Sequence, residues 1–224
     1  MAPSSKSSKS SSRSGARGSE TPSVSPVLPL LLLETMRDRD RPEEVLEDED
    51  ITTSLPRRLG LSEVVRVQIA RFDAEVKNRR PQIASQVEDL LRLVIRRPDC
   101  EEIFAEAGRR VATHFWSERP AGVRNSIRFL PRAIAVVAAQ RAGKRMFSEL
   151  VGPTPFKISR KPLGLRIDST LTARADPGGA ACAFYAGAFG ELLELYTGRK
   201  YRVTHSHCSR SGSGPCEWQV EIAA

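Results

Sequence analysis

The sequence lacks a long hydrophobic run, because its longest strongly apolar stretch, residues 27–33, is interrupted by Pro29. A helix needs about 20 predominantly apolar residues to cross a bilayer, so no membrane span is predicted. A Ser-rich region precedes the stretch and acidic residues follow it, which does not fit a secretory signal peptide. We therefore expect a cytoplasmic protein.

Cysteine and histidine are scarce, with four and three residues among 224. Four cysteines in a chain of this length do not form the dense disulfide framework of small secreted domains. The sequence also lacks a Gly-rich phosphate loop, a nucleophile–base pair and paired carboxylates at an informative spacing. These absences favour a protein that is not an enzyme.

The chain is basic, with a formal net charge of +8 and a pI near 9.7. Such a balance raises the question of nucleic acid as a partner. The positive charges are mostly arginines scattered through amphipathic helical patterns, which are typical of solvated faces. Because no clear recognition helix is found, we do not expect nucleic-acid binding.

Composition divides the chain into three predicted segments. Residues 1–50 are predicted to be a disordered Ser/Arg-rich tail and acidic linker, with a short apolar docking segment at 28–33. Residues 51–97 carry two apolar stripes at helical spacing, which predict a helical hairpin with one shared seam. That seam serves either core packing or dimerisation, and we expect a homodimer. Residues 98–224 are predicted to form one further folded domain.

Sequence patterns within these segments predict an α/β (α+β) fold with helices packed on an antiparallel sheet. Ser62 and Asp99 are predicted to cap helices, and Glu102 to complete a capping box with Asp99. Small apolar residues predict a central helix over residues 126–147. Alternation of apolar and polar residues predicts further elements. They are strands at 156–160, 163–172, 201–207 and 217–222, and a helix at 180–196.

Three of the four cysteines and two of the three histidines lie between residues 182 and 218. Such density is typical of metal ligands, because one tetrahedral ion needs four N/S donors at one point. Three thiolates and one imidazole suit Zn²⁺ in a closed structural site. Free cysteines without a metal, and a disulfide across the hairpin, are the alternatives. The candidate ligands are Cys182, Cys208, Cys216 and either His205 or His207.

The spacing of two of these donors constrains the path of the chain between them. Residues two apart lie on the same side of a strand, whereas His205 and Cys208 are three apart. The chain must therefore already be turning at Ser206 and His207 if both donors are to bind one ion.

The end of the sequence resembles the 4-vinyl-reductase domain family, whose members end in a helix and a cysteine-bearing hairpin. The residues that carry the resemblance are 182–193, 201–208 and 214–218. The resemblance covers roughly residues 100–222. It implies a ligand-binding fold like that of trafficking-adaptor subunits. It also implies zinc ligands by position, with histidine replacing the carboxylate used in phenol-sensing relatives and selecting His205 over His207. The implied set is Cys182, His205, Cys208 and Cys216.

The resemblance implies a bacterial carrier or sensor for a small hydrophobic, aromatic or tetrapyrrole-like ligand. An enzyme or accessory protein of bacteriochlorophyll vinyl reduction, and a dimerising interaction module, are the alternatives. The Trp-rich stretch of the reductase branch is absent, and no nicotinamide site is found. Aromatic residues are expected to line the pocket. They are Phe115, Trp116, Phe129, Phe147, Phe184, Tyr185, Phe189 and Trp218.

Overall fold

The computed structural model describes residues 23–40, 61–127, 129–152, 154–208 and 214–223. Two ranges lie outside the described residues. Residues 1–22 belong to the predicted tail, and residues 41–60 contain the later part of the predicted acidic linker and the start of the predicted hairpin. Buried apolar side chains from all the described stretches up to Trp218 belong to one contiguous hydrophobic core. The predicted segments therefore do not have separate cores.

The described helices pack around one long pair. They are α1 (Val27–Asp40), α2 (Glu63–Lys77), α3 (Ala84–Ile95), α4 (Cys100–Ser117), α5 (Ala121–Ile127), α6 (Arg132–Val151), α7 (Leu171–Ala175) and α8 (Ala183–Thr197). A single turn of 3₁₀ helix, Ala180–Cys182, leads directly into α8.

The strands form a four-stranded antiparallel sheet and a two-residue ribbon. The strands are β1 (Ser23–Val24), β2 (Gln82–Ile83), β3 (Phe156–Arg160), β4 (Leu163–Asp168), β5 (Tyr201–His207) and β6 (Pro215–Ile222). The large sheet has the order β3-β4-β6-β5, and β1 pairs with β2. Helices packed on an antiparallel sheet confirm the predicted fold class.

Helices α4 and α8 run side by side in the same direction and make the most extensive helix contact. A Cβ on Gly108, in the middle of α4, would overlap the carbonyl oxygen of Phe184 in the first turn of α8. Near their ends, the rings of Trp116 and Tyr196 lie 4.8 Å apart in an edge-to-face contact. The missing Cβ therefore lets two helix backbones approach closely, as close packing of this kind requires.

The stretch predicted as a docking segment and linker is helical as far as Asp40, so this part of the sequence prediction was wrong. Leu28, Leu32 and Met36 are fully buried against the rest of the core. They recur every four residues, so one face of α1 packs against α2 and α4. At the end of the helix, the Asp40 carboxylate accepts two hydrogen bonds from Arg97, at 2.7 and 2.9 Å.

The helices predicted as a hairpin with a shared seam form at the predicted places, but they pack against different partners. Helix α2 packs mainly on α1, whereas α3 packs mainly on α7. Ser62 caps α2 as predicted, because its side chain accepts a hydrogen bond from the Val65 amide. Asp99 does not cap α4, because its carboxylate instead pairs with Arg97 at 2.9 Å.

The predicted helix at residues 126–147 is two helices, α5 and α6, with Pro131 before the second. Proline disfavours helical geometry in the residue before it, which accounts for the break. The first turns of α6 are largely exposed, and Ile134 is 52% exposed, so only the later part of α6 is central. The predicted strand at 163–172 ends at Asp168, and helix α7 follows it.

Within the described residues, every helix is too short or too polar to serve as a membrane span.

Candidate metal centre

Strands β5 and β6 bring the first two candidate ligands to one face of the sheet. Cys216 and Trp218 alternate along β6, and both are fully buried on the side facing the helices. His205 is directly opposite Trp218 in the antiparallel register. The two rings are stacked, with centroids 4.9 Å apart and planes inclined by 15°. The stack fixes the orientation of the imidazole beside Cys216.

A β-bulge solves the spacing problem between His205 and Cys208. His205 pairs with Trp218 and His207 pairs with Glu217, so Ser206 is the additional residue in β5. Without the bulge, positions 205 and 208 would point to opposite faces of the sheet. With it, the register carries Cys208 to the position opposite Cys216. The predicted turn at Ser206 and His207 is therefore a bulge within β5, which continues as a strand to His207.

The third side of the cluster is the turn that begins α8, where Cys182 is fully buried. The Asp176 carboxylate organises this turn by accepting hydrogen bonds from the amides of Gly178 and Ala181, both at 2.9 Å. Gly179 has a φ of 89°, and a Cβ there would lie 3.2 Å from the Cys208 sulfur. A glycine at this position therefore allows both the left-handed turn and the close approach of the loop to Cys208.

The ligand atoms of Cys182, His205, Cys208 and Cys216 all lie within 4.8 Å of one another. This is the full set predicted from the sequence. His207 is exposed and lies outside the group. Cys100, half-buried at the start of α4, also lies outside it. All four cysteines are free thiols, so the alternative of a Cys208–Cys216 disulfide is not what the structure contains.

The chemistry of the four donors fits a metal ion. His205 Nε2 is buried and has no hydrogen-bond partner among the described residues. A buried polar nitrogen without a partner costs free energy, and coordination of an ion would remove that cost. Three sulfurs and one nitrogen within one small volume match the donor set of a tetrahedral structural site.

Proximity and burial hold the thiols in their protonated form when no cation is present. The pKa of Cys182 is raised by its hydrogen bond with the Cys216 thiol and by burial. The pKa of Cys208 is raised by burial and then by the neighbouring Cys216. A bound divalent cation reverses this balance, because it stabilises the thiolates that coordinate it.

Two threonine hydroxyls lie next to the sulfurs. Thr172 Oγ1 is 3.2 Å from the Cys182 sulfur, and Thr170 Oγ1 is 3.6 Å from the Cys216 sulfur. Both threonines are buried at the start of α7, where Thr170 also caps the helix by accepting from the Ala173 amide. Hydroxyl donors beside metal-bound thiolates orient them and compensate part of their charge.

The sequence analysis missed these supporting residues. The two threonines were assigned to a strand, and Asp176 was given no role in the site. The available signal was the Thr-x-Thr pattern just before an Asp-Pro-Gly-Gly turn and a cysteine. That pattern has no meaning for a metal until the fold places residues 170–172 beside β6.

The predicted aromatic pocket residues do not line one common cavity. Five of them fill the core and are almost completely buried. They are Phe147, Phe184, Tyr185, Phe189 and Trp218. Phe115 and Trp116 are half-buried beside surface cavities, and Phe129 is 87% exposed. Phe129 therefore differs most from the expectation, because it follows the end of α5 and points away from the core.

A cavity of about 610 Å³ lies at the other end of α4 from the cysteines. Phe115, Val27 and Val76 contribute apolar walls. The lining also carries charges of both signs, from Arg79, Arg145, Glu118 and Glu149, and Arg145 pairs with Glu149 at 3.3 Å. The 15 residues from Cys100 to Phe115 rise by about 22 Å along a helix, so the cavity and the cysteine cluster are well separated. The volume is within the range of small-molecule sites.

The fold and the cluster define this chain as an α+β protein with a candidate three-cysteine, one-histidine metal centre. The sequence matches no family model, and no curated protein matches it either. The resemblance to the 4-vinyl-reductase domain family therefore stays a prediction.

Proposed function

We propose that this chain is a zinc-stabilised module that binds a small hydrophobic or aromatic molecule, as a carrier or a sensor. The observation that supports it most is the set of four N/S donors within 4.8 Å, built by a bulge, a hairpin and a helix start. The resemblance to the 4-vinyl-reductase domain family, whose members hold such molecules, supports the ligand-binding part.

Zinc is the metal that this donor set favours. Thiolate and imidazole ligands in tetrahedral geometry suit Zn²⁺, and a site with four protein donors leaves no position for a substrate. Such an ion would stabilise the β5–β6 hairpin against the start of α8 and would not carry out a reaction. Three thiolates also require a compartment that keeps cysteines reduced, which favours the cytoplasm.

Metal analysis of the purified protein tests the zinc part. We expect about one zinc per chain, lost when Cys216 is replaced by Ala and retained when Cys100 is replaced by Ser. Cobalt substitution provides a second measurement, because tetrahedral thiolate-bound Co²⁺ gives characteristic visible absorption. A fully folded protein that binds neither metal would refute the proposed centre.

The cavity beside Phe115 is the proposed ligand site. Its apolar walls would hold an aromatic or tetrapyrrole-like ring, and Arg79 in its lining would contact an acidic substituent. Titration with a porphyrin, followed by its absorption band, measures binding. Val76→Trp should fill the cavity and weaken binding, whereas Val67→Trp on an exposed position of the same helix should not.

Two outcomes would contradict the ligand proposal. Equal porphyrin affinity for both tryptophan variants would place the ligand elsewhere. Turnover of a vinyl-bearing substrate by the purified protein alone would overturn the non-enzymatic part, since a carrier or a sensor leaves its ligand chemically unchanged.

A further inference from the structure

Four apolar side chains protrude where α5 ends and α6 begins. Val123 is 45% exposed, Phe129 87%, Leu130 37% and Ile134 52%. We call this group the apolar tip. Isolated exposed apolar residues are common on protein surfaces, but a group of four on one helix–turn–helix connection marks an interaction site.

The apolar tip is held to the body of the protein. Ile127, near the end of α5, and Ala135, in the first turn of α6, are both buried. The amides of Phe129 and Leu130 donate to the carbonyl oxygens of Ser126 and Ile127, at 3.2 and 3.0 Å. These two hydrogen bonds attach Phe129 and Leu130 to the end of α5.

The sequence around the apolar tip carries charge of only one sign. From residue 119 to residue 148 there are seven basic residues and no acidic residue. Arg132 and Arg141 are exposed on α6, and neither forms an ion pair with another described residue. The nearest acids belong to neighbouring elements, with Glu118 at the end of α4, and Glu191 and Glu194 lining a cavity that Leu130 and Arg132 share.

We propose that the apolar tip and its arginines bind the surface of an anionic lipid bilayer. Apolar side chains with flanking basic residues are the features of proteins that lie in the membrane interface. The arginines would contact lipid phosphates, and Phe129, Leu130 and Ile134 would enter the headgroup–acyl boundary. Each positive charge near such a surface strengthens binding by about fivefold at moderate salt.

A second copy of the chain fits this surface less well. A twofold contact places the same patch on both partners, so the arginines of one copy would face those of the other. Like charges at close range oppose such a contact. Phe129 also projects from the surface instead of lining a groove, and a soft bilayer accepts a protruding ring without a matching pocket.

Vesicle sedimentation tests the proposal with the full chain. We expect binding to phosphatidylcholine vesicles that contain phosphatidylserine, little binding to phosphatidylcholine alone, and a decrease with salt. Phe129→Ser with Leu130→Ser should weaken binding by about tenfold or more, because it removes the inserted apolar surface. Arg132→Gln with Arg141→Gln should weaken it by about 25-fold at low salt.

Matched controls lie on α2 and, for Arg80, three residues after it. Val64→Ser with Val67→Ser removes two other exposed apolar side chains, and Arg71→Gln with Arg80→Gln removes two other exposed charges. Neither control should change vesicle binding by more than twofold. All substituted positions are exposed, so thermal unfolding should be close to that of the wild type.

The proposal is overturned if vesicles with and without phosphatidylserine sediment the protein equally. It is also overturned if the α2 controls weaken binding as much as the tip variants do. A concentration-dependent dimer that dissociates on Phe129→Ser with Leu130→Ser would assign the surface to a second copy instead. An acidic protein that binds the apolar tip, when anionic vesicles do not, would also overturn the proposal and assign the surface to a protein partner.

Discussion

The substitution His205→Phe should change the stability of this protein in opposite directions with and without zinc. Phenylalanine keeps a flat ring that can stack on Trp218, where the present ring centroids are 4.9 Å apart. It removes both ring nitrogens, including the buried Nε2 that has no partner among the described residues. The substitution therefore separates the packing role of the ring from its role as a ligand.

The magnitudes follow from these two roles. An ion held at a free concentration about a thousandfold above its Kd stabilises the folded state by about 4 kcal/mol. Losing it should lower the Tm by about 8–16 °C in a chain of this length. In the metal-free protein, a buried polar atom without a partner costs about 1–3 kcal/mol, so removing it should raise the Tm by a few degrees.

Differential scanning calorimetry of the wild type and variant, each with zinc and with a chelator, measures all four states. His207→Phe is the control, because that histidine is exposed and outside the cluster. It should leave both melting temperatures nearly unchanged. If His205→Phe lowers the Tm equally with zinc and with chelator, His205 does not act as a ligand and the reasoning is wrong.

Three further predictions test the fold and the cluster. Gly108→Ala should destabilise the folded state by about 1–3 kcal/mol, because its methyl group would overlap the α8 backbone. Gly122→Ala has open space around it and should stabilise the folded state by up to about 1 kcal/mol, and denaturant unfolding measures both changes. Cys208→Ser should lower the Tm by several degrees and Cys100→Ser should not, and equal losses would contradict our division of the cysteines. The pKa of Asp99 is held below its ordinary value by hydrogen bonds from Arg97, so its contribution is present above about pH 4 and is lost as the pH falls through the lowered pKa. Asp99→Asn should therefore cost less than about 1 kcal/mol at pH 7, and this cost should shrink steadily as the pH is lowered below about 4, measured by unfolding across this pH range.

Local chemistry predicted much of this structure. The side chain of Ser62 caps α2, and the alternation of apolar and polar residues gave β3 and β5 with their observed bounds. Such signals act within a few residues, so they are present in the sequence itself. The candidate donors were found for the same reason, since three of the four lie close together along the chain, but only the resemblance to the 4-vinyl-reductase domain family selected His205 over His207.

Contacts between distant segments decided the rest. The local sequence predicted Asp99 as a helix cap. Instead, Arg97 binds the carboxylates of Asp99 and Asp40 together, and Asp40 is 57 residues away from Arg97. The apolar residues of α1 looked like a docking segment beside an acidic linker. Their four-residue period becomes a buried face only because α2 and α4 provide the surfaces that cover it.

The cysteine cluster combines both levels. The sequence alone determined which donor types are available, because cysteine and histidine are rare and gathered within residues 182–218. Only the tertiary structure decided that they can meet, because a bulge at Ser206 turns Cys208 to the face of His205 and the Asp176 turn brings Cys182 against the hairpin. A strand pairs with its neighbour through long-range hydrogen bonds, so the position of a bulge depends on a partner strand that the local sequence does not contain.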